Sequence, residues 1–279
     1  DAKGQASVLD LYDVSKLKGP VLNDADVSWD KVDQFVKTEL SKTGGKSIRI
    51  VSSTVNSPST KAVIADFIAK YPSARHIQVD AVSYTGILKA NEASFGKAVI
   101  PRYRFDNADV VVSFGADFLG SWISPIEFNT QYASKRNSTA LKGGKMSRHI
   151  QFETGMSLTG TNADARIPLK PSEEGIALLN LYAALGGSVS GGKKLPNQKA
   201  ETAVMLAAKE LTAAKGRSLV ISGSNDIATQ TVVNAINTLL ESYGTTIDLD
   251  NPSYQYSGND ADFVTLVNEM NSGSVGAVF

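Results

Sequence analysis

The chain contains no cysteine at all. That excludes a disulfide framework, a thiolate nucleophile and a cysteine-ligated iron–sulfur cluster within these 279 residues. Histidine is nearly as scarce. His76 and His149 each sit at the edge of an apolar stretch, and two histidines without a neighbouring acidic cluster make a poor metal site. They read as structural, and no metal ligand is expected. Charge of either sign is not in excess: 28 Lys and Arg balance 28 Asp and Glu, with no basic stripe, so no nucleic-acid partner is expected. No apolar run approaches the roughly 18 residues of a membrane helix, so no direct membrane span is expected.

Familiar catalytic signatures are missing as well. There is no Walker loop, no strict G-x-G-x-x-G after a strand, no G-x-S-x-G elbow and no H-E-x-x-H. Nor is there a repeat of fixed period. The chain starts at Asp1 without a methionine or a signal peptide, and ends in "SGSVGAVF", which reads as a strand just begun. The expectation is a processed or excised piece of something longer.

What is present is ordinary globular composition, 42% apolar and 20% charged, enough for one large or two ordinary domains. Strand-like and helix-like runs alternate. "SWDKVDQFVKTEL" predicts a helix capped by Ser28, with Asp30 in its first turn. "SPSTKAVIADFIAKYP" predicts another, with Ser57 as cap, Pro58 at the first position and Pro72 as stop. "YTGILKANEASFG" predicts a helix closed by Gly96. "KSIRIVSST", "RHIQVDAV", "ADVVVSFGA", "MSRHIQFE" and "RSLVISGS" read as strands, and "ADARIPLKP" as a short extended piece. "SEEGIALLNLYAALGG" reads as a helix capped by Ser172. Further helices are expected over 199–215, from Asp226 on, and over 261–270.

Such alternation implies an α/β fold with doubly wound, mainly parallel sheets. "GGSVSGGKKLPNQ", Gly186 to Gln198, reads as a linker. Two units are therefore expected: 1–187, a Rossmann-like α/β unit with an N-terminal lead-in segment, and 188–279, a second and incomplete α/β unit.

Ligands of open α/β sheets bind at the carboxyl ends of strands. Two turns qualify: "SFGADFLG", containing Gly115, Ala116 and Asp117, and "SGSNDIATQ", where Gly223 precedes Asn225 and Asp226. A helix N-terminus takes an anion readily, but the reading favoured for Asn225 or Asp226 is a helix cap. Asp117, Glu153, Glu173 and Glu174 all follow strands or open a helix, so they are expected to crowd one sheet edge. Carboxylates there repel a diphosphate, although they can accept from a guanine edge or ribose hydroxyls. A paired-carboxylate acid/base site is the lesser reading. Phe118, Trp122, Phe128 and Tyr132 are expected to pack internally rather than form a binding surface.

The order of these segments resembles the molybdopterin oxidoreductases (the DMSO reductase family). "YDVSKLKGPVLNDADVSWDKVDQFV", with Trp29 and Asp30 opening a helix, resembles their N-terminal segment. "NADVVVSFGADFLG" resembles the strand and turn that meet their pterin dinucleotide, and "ADARIPLKPSEEGIALLNLYAAL" their proline-led turn and helix. "RSLVISGSNDIATQTVVNAINTLLESYG" resembles a strand and helix of the adjoining domain, giving a domain II/III-like arrangement. "QASVLDLYD", "SFGADFLGSW" and "KMSRHIQFETGMSLTGTNADARIPLKPSEE" together resemble a cofactor-less branch, the molybdopterin-oxidoreductase-like subunit of bacterial alternative complex III.

The resemblance implies a non-catalytic scaffold in a quinol oxidoreductase. It also implies partner subunits in a membrane-bound complex and a periplasmic location peripheral to the inner membrane. Iron–sulfur clusters would lie in the rest of the subunit, with no cofactor in this chain. The departures from the active branch agree. Gly115-Ala116-Asp117 stands where active enzymes have Gly-Asn, and Phe152-Glu153-Thr154 where they have Asp-Pro-Arg, which removes a phosphate partner. Pro171-Ser172-Glu173-Glu174 stands for their Pro-Gly-Thr-Asp, so Glu174 takes the place of the guanine-binding Asp. No match exists for the metal-ligating Cys or Ser region. Gly115, Ala116, Asp117, Glu153, Ser172 and Glu174 are the candidate lining of a degenerate pocket. The alternatives are a fragment of an active enzyme, which would bind molybdopterin guanine dinucleotide, and a periplasmic ligand-binding module.

Overall fold

The computed structural model describes residues 2–189 and 193–279. In chain order, a short helix α1 (Ala2–Ala6) runs into a 3-10 turn (Ser7–Tyr12). A hairpin follows, β1 (Val21–Leu22) and β2 (Ala25–Asp26), then α2 (Trp29–Ser41), β3 (Ser47–Ser52), α3 (Pro58–Lys70) and β4 (Ala74–Gln78). Next come α4 (Thr85–Phe95), β5 (Ile100–Tyr103), β6 (Val110–Phe114), α5 (Pro125–Ser134) and α6 (Ser138–Lys142). They are followed by β7 (Arg148–Glu153), α7 (Leu158–Thr161), β8 (Ala165–Pro168) and α8 (Pro171–Ala184). The last third holds α9 (Gln198–Ala213), β9 (Ser218–Ser222), α10 (Ile227–Leu239), β10 (Ile247–Ser253), α11 (Asp260–Asn271) and β11 (Val275–Val278).

Local chemistry sets the helix ends. Ser28 accepts from the Lys31 N–H and Ser57 from the Thr60 N–H, both at 3.3 Å. Gly96 closes α4 in the left-handed region, at φ 70°. Asp226 accepts from the Thr229 N–H at 2.7 Å, which makes it the cap of α10. One expected cap is corrected. The cap of α8 is Lys170, because Pro171 occupies the first helical position, and Ser172 lies exposed in the first turn.

The chain divides into two compact units, Asp1–Val79 with Asn259–Phe279, and Asp80–Gly258. The first is a parallel sheet in the order β11-β3-β4. Its small core is Leu40, Ile48 and Ala74, with Phe67, Ile68 and Tyr71 against it. Arg49, nearly buried, grips Glu269 of α11 with two bonds of 2.8 and 2.9 Å. The terminal strand thus belongs to a sheet begun by β3.

The second unit carries a parallel four-stranded sheet, β8-β7-β6-β9. All five residues of β6 and of β9 are buried, as a parallel strand covered on both faces requires. One face holds Val112, Phe114, Ile150, Phe152 and Val220 against α8, α9 and α10. The other holds Val111, Leu219 and Ile221 among Phe105, Phe118, Trp122 and Phe128. An antiparallel pair, β5 with β10, completes the unit.

The boundary expected between 187 and 188 falls inside this second unit. Leu178 and Leu181 of α8 share one core with Ala200, Val204 and Leu211 of α9, so the two helices cannot belong to separate cores. Of the expected linker, Gly187–Val189 and Lys193–Asn197 form neither helix nor strand, and residues 190–192 lie outside those described.

Candidate functional site

The carboxyl ends of β6 and β9 meet. Gly115 follows β6 at φ 65°, a left-handed conformation that favours glycine. Its N–H donates to the Phe152 carbonyl at 2.8 Å. Gly223 follows β9 and donates to the Phe114 carbonyl at 2.8 Å. A Cβ on Gly223 would stand 2.6 Å from the Gly115 oxygen, so glycine alone lets these turns touch. Ala116 is fully buried, and its carbonyl accepts from the Ser113 hydroxyl at 3.1 Å.

Glu174, in the first turn of α8, lies over this junction and accepts from the Ser222 hydroxyl at 2.6 Å. Burial pushes its carboxyl up from the ordinary value, against the opposing pull of Ser222. Glu173 beside it is buried and accepts from the Lys170 N–H at 3.3 Å, closing the helix start.

The other two acids turn toward α7. Asp117 accepts from the Thr159 N–H at 3.1 Å and from its hydroxyl at 2.7 Å. Glu153, at the end of β7, accepts from the Ser157 hydroxyl at 2.6 Å and from the Ser157 N–H at 3.2 Å. It also pairs with Arg166 of β8 at 2.5 Å. Burial alone would raise the Glu153 carboxyl, but Ser157 and Arg166 outweigh it and hold it below the usual carboxylate range. Both carboxylates therefore serve unpaired N–H groups at a helix start.

The expected crowding of acids at one sheet edge is thus real, but each acid has its own protein partner. Gly115, Ala116 and Glu174 are brought together, with Ser222 and Gly223 added. Asp117 and Glu153 share α7, and Ser172 is exposed. Sequence reasoning passed over Ser222, Ser157, Thr159 and Arg166. The signal for Ser222 was its place as the last residue of an apolar strand, level with Phe114 and one residue ahead of the turn that singled out Gly115.

The aromatic segment packs internally. Phe118 and Phe128 are almost wholly buried, and Trp122 and Tyr132 nearly so. The Phe105 and Phe118 rings stack at 4.4 Å. His149 is fully buried, and burial lowers its pKa to about 4. His76, in the other unit, lies 2.8 Å from the Ser52 hydroxyl. Among the described residues no three His, Cys, Asp or Glu side chains gather as a metal site, and no helix is long and apolar enough to cross a membrane.

A pterin dinucleotide needs donors for its diphosphate. The N–H groups of Gly115 and Gly223 go to neighbouring strands, and that of Ser224 goes to the Ser222 hydroxyl at 3.1 Å. The turn after β7 presents Glu153 and Thr154, and Arg166 is committed to Glu153. At the guanine acceptor position, Glu174 already accepts from Ser222 through Oε1. These residues do not fit the group.

No family model and no curated protein matches the sequence. Solved structures do. Acetylene hydratase from Pelobacter acetylenicus superposes at a TM-score of 0.54 with 14% identity. The match covers 81% of this chain and 34% of that one. The formyltransferase/hydrolase complex (FhcABCD) from Methylorubrum extorquens, in complex with methylofuran, matches at 0.50 and 16% identity, covering 75% of this chain and 55% of that one. Likeness at this identity shows the doubly wound α/β fold. The chain spans about a third and about half of these two structures.

Proposed function

We propose that this chain is a scaffold built on the molybdopterin-oxidoreductase fold, with the dinucleotide edge of its sheet closed. We assign it to the kind of protein resembled in sequence, the molybdopterin-oxidoreductase-like subunit of bacterial alternative complex III. There it catalyses nothing itself. It supports an adjacent iron–sulfur region and packs against other subunits of a periplasmic, membrane-attached quinol oxidoreductase. Electrons pass through clusters outside this chain.

The observation that carries this reading is the junction of Gly115, Gly223, Glu174 and Ser222. In two turns placed where a diphosphate would be cradled, the Gly115 amide goes to the Phe152 carbonyl of β7 and the Gly223 amide to the Phe114 carbonyl of β6, and the Glu174 carboxylate lies over them. An anion approaching that edge meets the Glu174 carboxyl, and the Gly115 and Gly223 amides are already bonded to strand carbonyls. The likeness to acetylene hydratase supports the fold half of the proposal.

The test is to tag the protein in its source organism, solubilise the membranes in mild detergent and isolate what stays bound. The expected result is a stoichiometric complex that carries iron and oxidises quinol. Recovery of the tagged protein alone, free of membranes and iron, would overturn the assignment.

A further inference from the structure

The face of β7 opposite Ile150 and Phe152 is unusual for a central strand. His149, Gln151 and Glu153 follow at every second residue, all buried, at 0%, 0% and 6% exposure. They form one hydrogen-bonded row. His149 Nε2 lies 3.2 Å from Gln151 Oε1, and Gln151 Nε2 donates to Glu153 at 3.4 Å. On the far side, His149 Nδ1 lies 3.1 Å from the Tyr132 hydroxyl, which is also 3.0 Å from the Asn162 carbonyl. Buried polar groups demand matched donors and acceptors, so the directions of these bonds can be worked out.

Glu153 fixes one end. It accepts from Ser157 and from Arg166, so it is an ionised acceptor. Gln151 must then turn its NH2 toward Glu153 and its oxygen toward His149. That places a hydrogen on His149 Nε2. A neutral ring then presents a bare Nδ1, which competes with the Asn162 carbonyl for the single Tyr132 hydrogen. The Asn162 carbonyl has the phenol hydrogen without competition only if the ring takes a second proton, on Nδ1. Tyr132 then accepts from Nδ1 and swings its own hydrogen to Asn162. In that state both Nδ1 and the Asn162 carbonyl are satisfied by the one phenol.

We infer that Glu153, Gln151 and His149 form a directional relay, in which the carboxylate sets the tautomer of His149 and the proton count of His149 sets which partner Tyr132 donates to. Tyr132 and Asn162 line an open cavity of about 390 Å3, together with Asn129, Arg136 and Leu158. The relay therefore ties the carboxyl edge of the sheet to the wall of that cavity.

The groups facing His149 are few. Tyr132 and Arg136 come from α5 and the turn that ends it. Asp164, just before β8, accepts the His149 backbone N–H at 2.7 Å and pairs with Arg136 at 2.7 Å. Phe118 packs on the ring at 5.2 Å. Burial and the Arg136 guanidinium hold the ring neutral, against Gln151, Asp164 and Glu153. At neutral pH the resting form is thus the Nε2–H tautomer, with its bare Nδ1 and the Asn162 carbonyl both facing the one Tyr132 hydrogen.

Long-range proton–nitrogen NMR of the 15N-histidine-labelled chain tests this. Only two histidines exist, and His76→Asn removes one for assignment. The expected resonance at pH 7 is a protonated Nε2 with an unprotonated Nδ1. In Gln151→Met, which deletes the acceptor, the hydrogen is expected to move to Nδ1. A wild-type ring protonated on Nδ1 would overturn the inference, and so would a Gln151→Met variant that keeps its Nε2–H. Should that variant fail to fold, the wild-type tautomer decides alone.

Discussion

Gly223 rests directly on the backbone of Gly115, so that a methyl group at 223 would lie 2.6 Å from the Gly115 oxygen and 2.8 Å from its carbonyl carbon. Both contacts are backbone, which cannot step aside as a side chain can. Gly223→Ala is therefore expected to cost about 1–3 kcal/mol, the usual range for overpacking. Gly175 gives the opposite case. It sits exposed inside α8, and a methyl group there would meet nothing within 4 Å, so Gly175→Ala is expected to stabilise by up to about 1 kcal/mol. Urea unfolding of the two variants checks both signs.

Glu174 carries a carboxyl whose folded-state value lies above its unfolded one, because burial outweighs the Ser222 bond. Its contribution is complete below the unfolded value and is lost as pH rises through the folded one. Glu174→Gln keeps an acceptor for Ser222 without the charge. The variant is expected to match wild type in acid and to exceed it near neutrality by up to about 1 kcal/mol, the scale of one net hydrogen bond. Thermal melts across pH 4 to 7 read this directly.

Glu153 runs the other way. Its carboxyl is held below the unfolded value, so its contribution is present above that value and is lost as pH falls through the folded one. Arg166→Met strands a carboxylate that is almost wholly buried. A loss of about 3 kcal/mol is expected at neutral pH, the lower end for breaking a buried pair, since Arg166 keeps some contact with water. The gap between variant and wild type is expected to narrow on acidification, as the stranded carboxyl takes up a proton.

The aromatic segment is core, and mutation will say so. Phe118 touches Phe105, Tyr132 and His149, and Phe118→Ala is expected to cost about 3–5 kcal/mol. Ile126, exposed on α5, is the control, with a change inside about 0.5 kcal/mol for Ile126→Ala. Denaturant titration separates the two.

What was legible in the sequence was local. Ser28, Ser57, Asp226 and Gly96 act within one helical turn of themselves, and each does what its residue type predicts. Ser172 misled because a serine cap was preferred to the plainer signal of Pro171 at a first helical position. The division into units was not legible. It depends on β11 returning to β3 and on α8 packing with α9, contacts that leave no mark on local composition. The pairing of β5 with β10 was hidden for the same reason, since Tyr103 finds Ile247 across most of the unit, and Pro101 argues against a strand. At the site, the acids were visible, but their partners Ser222, Ser157 and Arg166 were not. Those contacts depend on strand order, which a single sequence does not print. The row on β7 was visible as alternation in "RHIQFE", yet its meaning needed the knowledge that both faces of that strand are covered.

The central claim is that the dinucleotide edge of this fold is closed. It is tested most directly on the full-length protein from its source, by elemental mass spectrometry for molybdenum and tungsten, with released pterin read by fluorescence after acid oxidation. The expected result is neither metal nor pterin in a sample that still carries iron. Near-stoichiometric metal and pterin would contradict it and make the turn at Gly115 a working cofactor site.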